Sequence, residues 1–397
     1  MPGGITAPQG FRAAAAAAGI KPGRNDLALV ASAVPAAAAG VFTTNRIQAA
    51  PVRLCRQRVR SGRAQAVIIN AGNANACTGP QGVADARETA VRTAAALGIA
   101  EKLVLVCSTG TIGVPMPMDK MRHGIPLAVA ALSPQGGPAA ARAILPTDTV
   151  AKEGALRFAI DGRPVTLAGM AKGAGMIAPN MATMLAVATT DAAVAPTALR
   201  AALRAAADQS FNCVTIDGDQ STNDTLLLLA NGCAGNRPLG PAHRQWPVFC
   251  AALNALTRDL ALRIAADGEG ATRRVTLTVQ GAASAADARR AARAVAHSLL
   301  VKTSWFGADP NWGRVIAAVG YSGARVREEH VQISYDGLTV VRDGCVAGPD
   351  VLARLHRILK QKEFALTVDL HLGRGTYTVY TCDCTEEYVR INAAYMT

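Results

Sequence analysis

The stretch KGAGMIAPNMATMLAVATTDA, residues 172–192, decides how this chain is read. Taken alone, Gly173, Gly175 and Ala178 match the G-x-G-x-x-A fingerprint of dinucleotide-binding proteins. The context argues against that reading. Pro179 stands where the phosphate-binding helix would have to propagate, and Thr183, Leu185, Val187 and Thr189 then alternate along one face of a strand. The segment therefore reads as a flexible glycine loop that delivers Asn180-Met181-Ala182-Thr183 into the start of a buried strand. That geometry suits self-cleavage. A threonine hydroxyl preceded by a small residue attacks the carbonyl of Ala182, and resolving the ester leaves Thr183 with a free α-amine. An α-amine titrates at about 7.7 to 8, so it serves as the base for its own hydroxyl without a histidine. The 6 histidines of the chain are scattered, with no serine or cysteine motif beside them. On chemistry alone, a threonine at such a junction is more often structural.

Outward from this loop, short apolar runs alternate with alanine-rich stretches, which is an α/β pattern. AVIINAG (66–72), KLVLVCSTG (102–110) and TLLLLANG (225–232) read as strands. Residues 85–97, 196–209 and 246–266 read as helices from apolar positions at three- and four-residue steps. Residues 27–44 carry no charge, but Pro35, Gly40 and the polar Ser32, Thr43 and Thr44 break them as a membrane span. They are expected to form two short strands, LALVAS and GVFTTN, joined by a turn. The first residues, MPGGITAPQGFR, lack a basic segment followed by a strongly apolar one, so no signal peptide is expected. From about Arg274, RVTLTVQG and AADARRAARAVAHSLL begin a new strand and helix set, and a smaller domain is expected over 274–397.

The 397 residues are 50% hydrophobic and 4% aromatic, so the core must be built from alanine, valine and leucine in close layers. The net charge of +13 raises nucleic acid as a partner. However, the basic stretches Arg53–Arg56–Arg58–Arg60–Arg63 and Arg289–Arg290–Arg293 are not interleaved with aromatic residues that stack on bases. They read as solvated surface, or as a field that attracts small acidic substrates. The 9 cysteines show no pairing or zinc spacing, and are expected to be reduced in a cytosolic protein. Cys382 and Cys384 alternate along an expected strand and read as packing residues. Asp217, Asp219 and Asp224 in DGDQSTND lack the glycine and glutamate of a calcium loop and are read as ordering the loop by hydrogen bonds. Asn70, Asn73 and Asn75 are read as a turn network. No metal and no cofactor are expected.

The segment around Thr183 resembles the cleavage and nucleophile motif of the ornithine acetyltransferase family. The likeness runs through GIKPGRNDLALV, GVFTTNRIQAAPV, INAGNANACTG, CSTGTIGVPMPMDK, SFNCVTIDGDQSTNDT, DGEGATR, LVKTSWFGADPNWGR and RINAAYMT. The resemblance implies an α/β fold with a layered αββα-like sandwich around the nucleophile and a smaller C-terminal α/β domain. It implies cleavage between Ala182 and Thr183 into chains 1–182 and 183–397, assembled as an α2β2 heterotetramer. It further implies ping-pong transfer of acetyl from N2-acetylornithine through Thr183 to glutamate, and leaves open acetyl-CoA as a second donor. The oxyanion of each tetrahedral intermediate needs preplaced donors, and the resemblance assigns these to Thr109 and Gly110. It assigns substrate contacts to Thr149, Lys172, Thr183, Glu269, Asn392 and Thr397. Chemically, Lys172 suits the substrate carboxylate and Glu269 an ammonium. Two other classes stand beside this one: an N-terminal-nucleophile amidohydrolase or aminopeptidase on a related fold, and a non-catalytic basic binding protein.

Overall fold

The computed structural model describes residues 4–145, 147–178 and 184–394. They divide into two compact units. The first comprises the described residues up to Asn212 together with Gln220–Ile264, and the second Cys213–Asp219 together with those from Ala265 onward.

The first unit begins with strand β1 (Phe11–Ala16) and the long β2 (Leu27–Phe42), followed by helix α1 (Ala50–Arg58) and β3 (Arg63–Asn73). Helix α2 (Gly79–Leu97) has proline in its first turn, where a missing N–H costs nothing, and stops at Gly98 in the left-handed conformation. Strand β4 (Val104–Thr111), helices α3 (Met118–Ala130) and α4 (Gly137–Ala143), and strands β5 (Lys152–Ile160), β6 (Arg163–Lys172) and β7 (Leu185–Thr190) follow. Helix α5 (Pro196–Asp208), strand β8 (Thr225–Ala230) and helix α6 (Trp246–Ala266) complete it. The sheet order is β4-β3-β2-β8-β7-β6-β5, with β1 paired to β2.

Strand β2 corrects the expectation of two strands joined by a turn: it is continuous for 16 residues. Pro35 is accommodated because the pairing with β3 skips from Ala31 to Ala36, so the proline sits in a register shift where no N–H is demanded. The strand also folds the sheet over. Leu27 pairs with Asn70 of β3 and Phe42 with Thr225 of β8, and a straight strand of this length would hold those ends about 50 Å apart. Yet the Asn223 side chain, two residues before β8, donates to the carbonyl of Ser108 beyond the Asn70 end, at 2.9 Å. The strands therefore form two stacked layers. Between them lies a core of Val30, Val67, Leu105, Met170, Val187 and Leu227. Helices α2 and α3 cover the outer face of one layer through Ala90, Met121 and Ile125. Helix α6 covers the other, with Leu256 and Leu260 reaching Gly169 of β6. This is the αββα arrangement.

The second unit carries β9 (Arg274–Ala282), helices α7 (Ala285–His297), α8 (Leu299–Phe306) and α9 (Trp312–Gly320), and strands β10 (Gln332–Tyr335), β11 (Leu338–Arg342) and β12 (Cys345–Val346). Helix α10 (Val351–Leu359), strands β13 (Glu363–Asp369) and β14 (Gly375–Cys382), and helix α11 (Glu386–Ala394) complete it. The sheet runs β12-β11-β10-β13-β9-β14. Helix α7 starts where Ser284 accepts the amide of Asp287, an N-cap written in the sequence as SAAD. The core is built on Trp305, packed edge-on against Phe364 at 6.1 Å between centroids. Cys384 lies beyond the end of β14, so it does not share a strand face with Cys382, because the ladder with β9 ends at Cys382.

The first unit's core depends on β8, whose six residues are all buried. Leu227→Ala should lower the unfolding free energy by about 2–5 kcal/mol, measured by urea denaturation followed by far-ultraviolet circular dichroism.

Candidate functional site

Strand β4 ends in Ser108-Thr109-Gly110-Thr111 alongside the end of β3, with Ala71 opposite Thr109 and Gly72 opposite Gly110. Gly110 has φ +133°, and a Cβ there would run into the backbone of Gly72 and Asn73, so only glycine fits. The asparagines behind this strand end form the turn network read from the sequence. Asn70 accepts from Ser108 Oγ at 2.6 Å and donates to the Asn73 carbonyl. Asn73 in turn donates to the carbonyls of Val114 and Pro115, and its Oδ1 accepts the Asn75 amide.

Strand β6 delivers Lys172, which is buried, at its last position. Residues 173–178 that follow are not helical, which removes the dinucleotide reading. The Gly173 amide donates to Asp148 Oδ1 at 2.6 Å, and the same oxygen receives Lys152 Nζ at 2.6 Å, with both side chains closed to solvent. Thr149 is exposed, on the loop that this carboxylate ties to Gly173 beside Lys172. Sequence reading missed Asp148 and Lys152. Their signal is an acid and a base four residues apart in PTDTVAKE, at the turn into a strand.

Ala182 and Thr183 lie outside the described residues. Met184, immediately after them, donates its amide to Asp224 Oδ1 at 3.1 Å, and its carbonyl accepts the amide of Thr225. Asp224 is fully buried, and its backbone carbonyl accepts the amide of Thr43. Burial pushes the Asp224 carboxyl well above the usual carboxylate range, opposed by the positive charge of Lys172. The preceding residue, Asn223, donates to the carbonyls of Ala74 and Ser108 at 2.6 and 2.9 Å. Two neighbouring side chains thus hold the strand end carrying Thr109–Gly110 and Met184, the residue just before β7.

Lys21 is a further residue that the sequence reading did not single out. Its stem covers Gly72, where an added Cβ would meet Lys21 Cγ at 2.8 Å. Burial, then the charges of Arg24 and Lys172, lower its pKa, with Asp148 opposing. Lys21 and Lys172 therefore share one electrostatic environment.

On the second unit, Glu269 sits in the turn after α6 and accepts Asn392 Nδ2 of α11 at 2.9 Å. Gly270 has φ +70°, and a Cβ there would press on the Tyr388 amide at 2.6 Å, so the turn is seated directly on α11. Thr397 lies outside the described residues. Asp217 and Asp219 belong to this unit, where Asp217 accepts the Asp219 amide at 3.1 Å. Among the described residues no group of three His, Cys, Asp or Glu side chains is placed to hold a metal. Nor is any helix long and apolar enough to cross a membrane.

A sandwich with a glycine-demanding strand end, a buried lysine and a buried carboxyl gathered at its strand ends defines an α/β enzyme. The chain belongs to the ArgJ family, whose model matches residues 12–397. It is 54% identical over 400 aligned positions to the arginine biosynthesis bifunctional protein ArgJ of Symbiobacterium thermophilum, covering 100% of this chain and 99% of the relative. It is 53% identical to the protein of the same description from Geobacter sulfurreducens, over 98% of this chain and 99% of that one. The crystal structure of the arginine biosynthesis bifunctional protein argJ from Bacillus halodurans is 40% identical with a TM-score of 0.50, covering 52% of this chain and 97% of that chain.

The raised pKa of Asp224 has a stability consequence. Its folded pKa lies above the ordinary 3.8, so the folded state binds more protons than the unfolded chain, and this group's contribution is lost as pH rises above about 4. Asp224→Asn keeps an acceptor for the Met184 amide and removes the titration. The variant should gain stability relative to the original protein between about pH 4 and pH 7 in parallel urea titrations. A difference independent of pH would mean that Asp224 is ionised in the fold.

Proposed function

We propose that this chain transfers the acetyl group of N2-acetylornithine to glutamate by a ping-pong mechanism in arginine biosynthesis, with Thr183 as nucleophile after cleavage between Ala182 and Thr183. The observation that carries this reading is the pair Asn223 and Asp224. One anchors Ser108, next to Thr109 and Gly110, and the other anchors Met184, next to Thr183. An acyl group on Thr183 then has oxyanion donors at Thr109 and Gly110, preplaced by a rigid strand end. Membership of the ArgJ family and the length of the solved relative support the cleavage step, since 97% of that chain corresponds to only 52% of this one.

In the first half-reaction the Thr183 hydroxyl, deprotonated by its own α-amine, attacks the acetyl carbonyl, and the amine then protonates the departing ornithine nitrogen. In the second, the amine of glutamate attacks the acetyl-threonine ester and leaves as N-acetylglutamate. Both substrates carry an α-carboxylate, which suits Lys172, with Thr149 and Thr397 as hydroxyl donors. Only ornithine has a side-chain ammonium, and Glu269, oriented by Asn392, is its acceptor. Acetyl-CoA is a second donor in the same scheme, since it would load the same threonine. The resemblance favours an α2β2 assembly of cleaved chains, and 9 unpaired cysteines fit a reducing cytosol.

Denaturing electrophoresis and intact mass should give fragments 1–182 and 183–397, and Thr183→Ala should remain a single chain without transfer activity. A Thr183→Ala protein that still splits and transfers would remove Thr183 from the mechanism. Release of acetate from N2-acetylornithine with no transfer to glutamate would make the protein an amidohydrolase instead.

The two half-reactions should respond differently at Glu269. Glu269→Gln should slow acetyl-enzyme formation from N2-acetylornithine more than discharge by glutamate, whereas Lys172→Met should slow both. Single-turnover measurement of each step checks this, and equal losses for Glu269→Gln would refute the division of roles.

A further inference from the structure

A groove of about 780 Å³ opens on the first unit between the end of β2, helix α1 with the turn after it, and helix α5. Four guanidinium groups line it: Arg56 from α1, Arg60 from the following turn, and Arg200 and Arg204 one turn apart on α5. Asp208 is the one acid on its wall. None of the four arginines makes an ion pair with a described residue, whereas Arg58, in the same basic stretch, is paired with Glu101. Like charges at i and i+4 weaken a helix, so Arg200 beside Arg204 is a small cost to α5, and Asp208 is the one acid near enough on this wall to offset it.

Arg56 is fixed rather than mobile. Its guanidinium lies 5.7 Å from the centroid of the Phe42 ring, and Nη2 donates to the Thr43 carbonyl at 2.9 Å. Its Nε is buried and has no hydrogen-bond partner among the described residues. The floor beside it is apolar, formed by Val41 and Phe42. A groove of this volume accommodates a small molecule. Guanidinium forks match phosphate oxygens in pairs, and the apolar floor at Val41, beside the largely buried Phe42 ring that Arg56 covers, receives a planar base. The basic run of the sequence contains no aromatic residue of its own, but the fold supplies Phe42 from β2.

We propose that this groove is a binding site for a nucleoside diphosphate-type ligand, with the phosphates on Arg56, Arg60, Arg200 and Arg204 and the base on the apolar floor at Val41. The site is independent of the acetyl-transfer chemistry assigned above, and shares none of its residues. A polynucleotide strand requires successive stacking rings, and Phe42 is the one ring in the lining of this groove, which favours a free nucleotide.

Isothermal titration calorimetry with ADP in about 0.15 M NaCl tests this on the full, processed protein. ADP should bind at one site per chain, pyrophosphate should compete more weakly, and adenosine should give no measurable heat. Arg60→Gln/Arg200→Gln/Arg204→Gln should weaken ADP at least about tenfold, equivalent to 1.4 kcal/mol, while circular dichroism and acetyl transfer stay unchanged. Because charge removal also alters non-specific attraction, Ala201→Phe provides a second arm: it fills the groove from α5 without changing charge, and should abolish ADP binding. Absence of ADP binding at millimolar concentration would overturn the proposal. So would equal binding by both variants, or an oligonucleotide that binds more tightly than ADP.

Discussion

Asn223 and Asp224 hold two strand ends in one place, and the polar centre of the first unit depends on them. Neither side chain faces solvent. Asn223 satisfies carbonyls at the ends of β3 and β4, and Asp224 satisfies the Met184 amide just before β7. Those ends belong to different layers, brought together only because β2 carries the sheet over on itself. Remove the bond on either side and a buried backbone group is left unsatisfied, which costs more than the bond itself is worth. The catalytic assignment therefore rests on rigid backbone, with loop side chains playing the smaller part.

Charge inside this centre is distributed so that few groups stand alone. Lys152 is neutralised by Asp148, whose oxygen also fixes the Gly173 amide. Lys172 faces a carboxyl that burial favours in its neutral form. Lys21 is pressed toward losing its proton by burial and by its cationic neighbours. An excess of positive potential beside a strand end with donors suits anionic substrates and an oxyanion alike, and this is consistent with glutamate as acceptor.

Much of this was legible before any coordinates. The strands at 66–72, 102–110 and 225–232 and the helix Trp246–Ala266 follow from periodicity, and the loop reading of residues 173–178 follows from Pro179. The ladder around Asn70 was visible as turn chemistry. What sequence could not supply was long-range. Pro35 and Gly40 look like a turn, yet β2 continues through them as one bent strand, since proline is harmless where a register shift leaves its position unpaired. Asp148 and Lys152 looked like ordinary loop charges, because only the fold removes them from water. Asp224 was read as ordering its loop by hydrogen bonds, but its burial and its bond to the Met184 amide emerge only when β7 and β8 lie side by side.

The order of the central sheet has a further consequence for a protein cut between residues 182 and 183. Strands β2, β3 and β4 at one side and β5 and β6 at the other come from the upstream piece, while β7 and β8, from the downstream piece, are inserted between them. Each piece thus completes the hydrogen bonding of the other along two separate ladders, β2 with β8 and β6 with β7. The pieces are interleaved rather than docked, so neither can leave without dismantling the sheet. In a chain so cut, exchange of one piece would be blocked mechanically, and the one-to-one stoichiometry of the pieces would be fixed at the moment of folding.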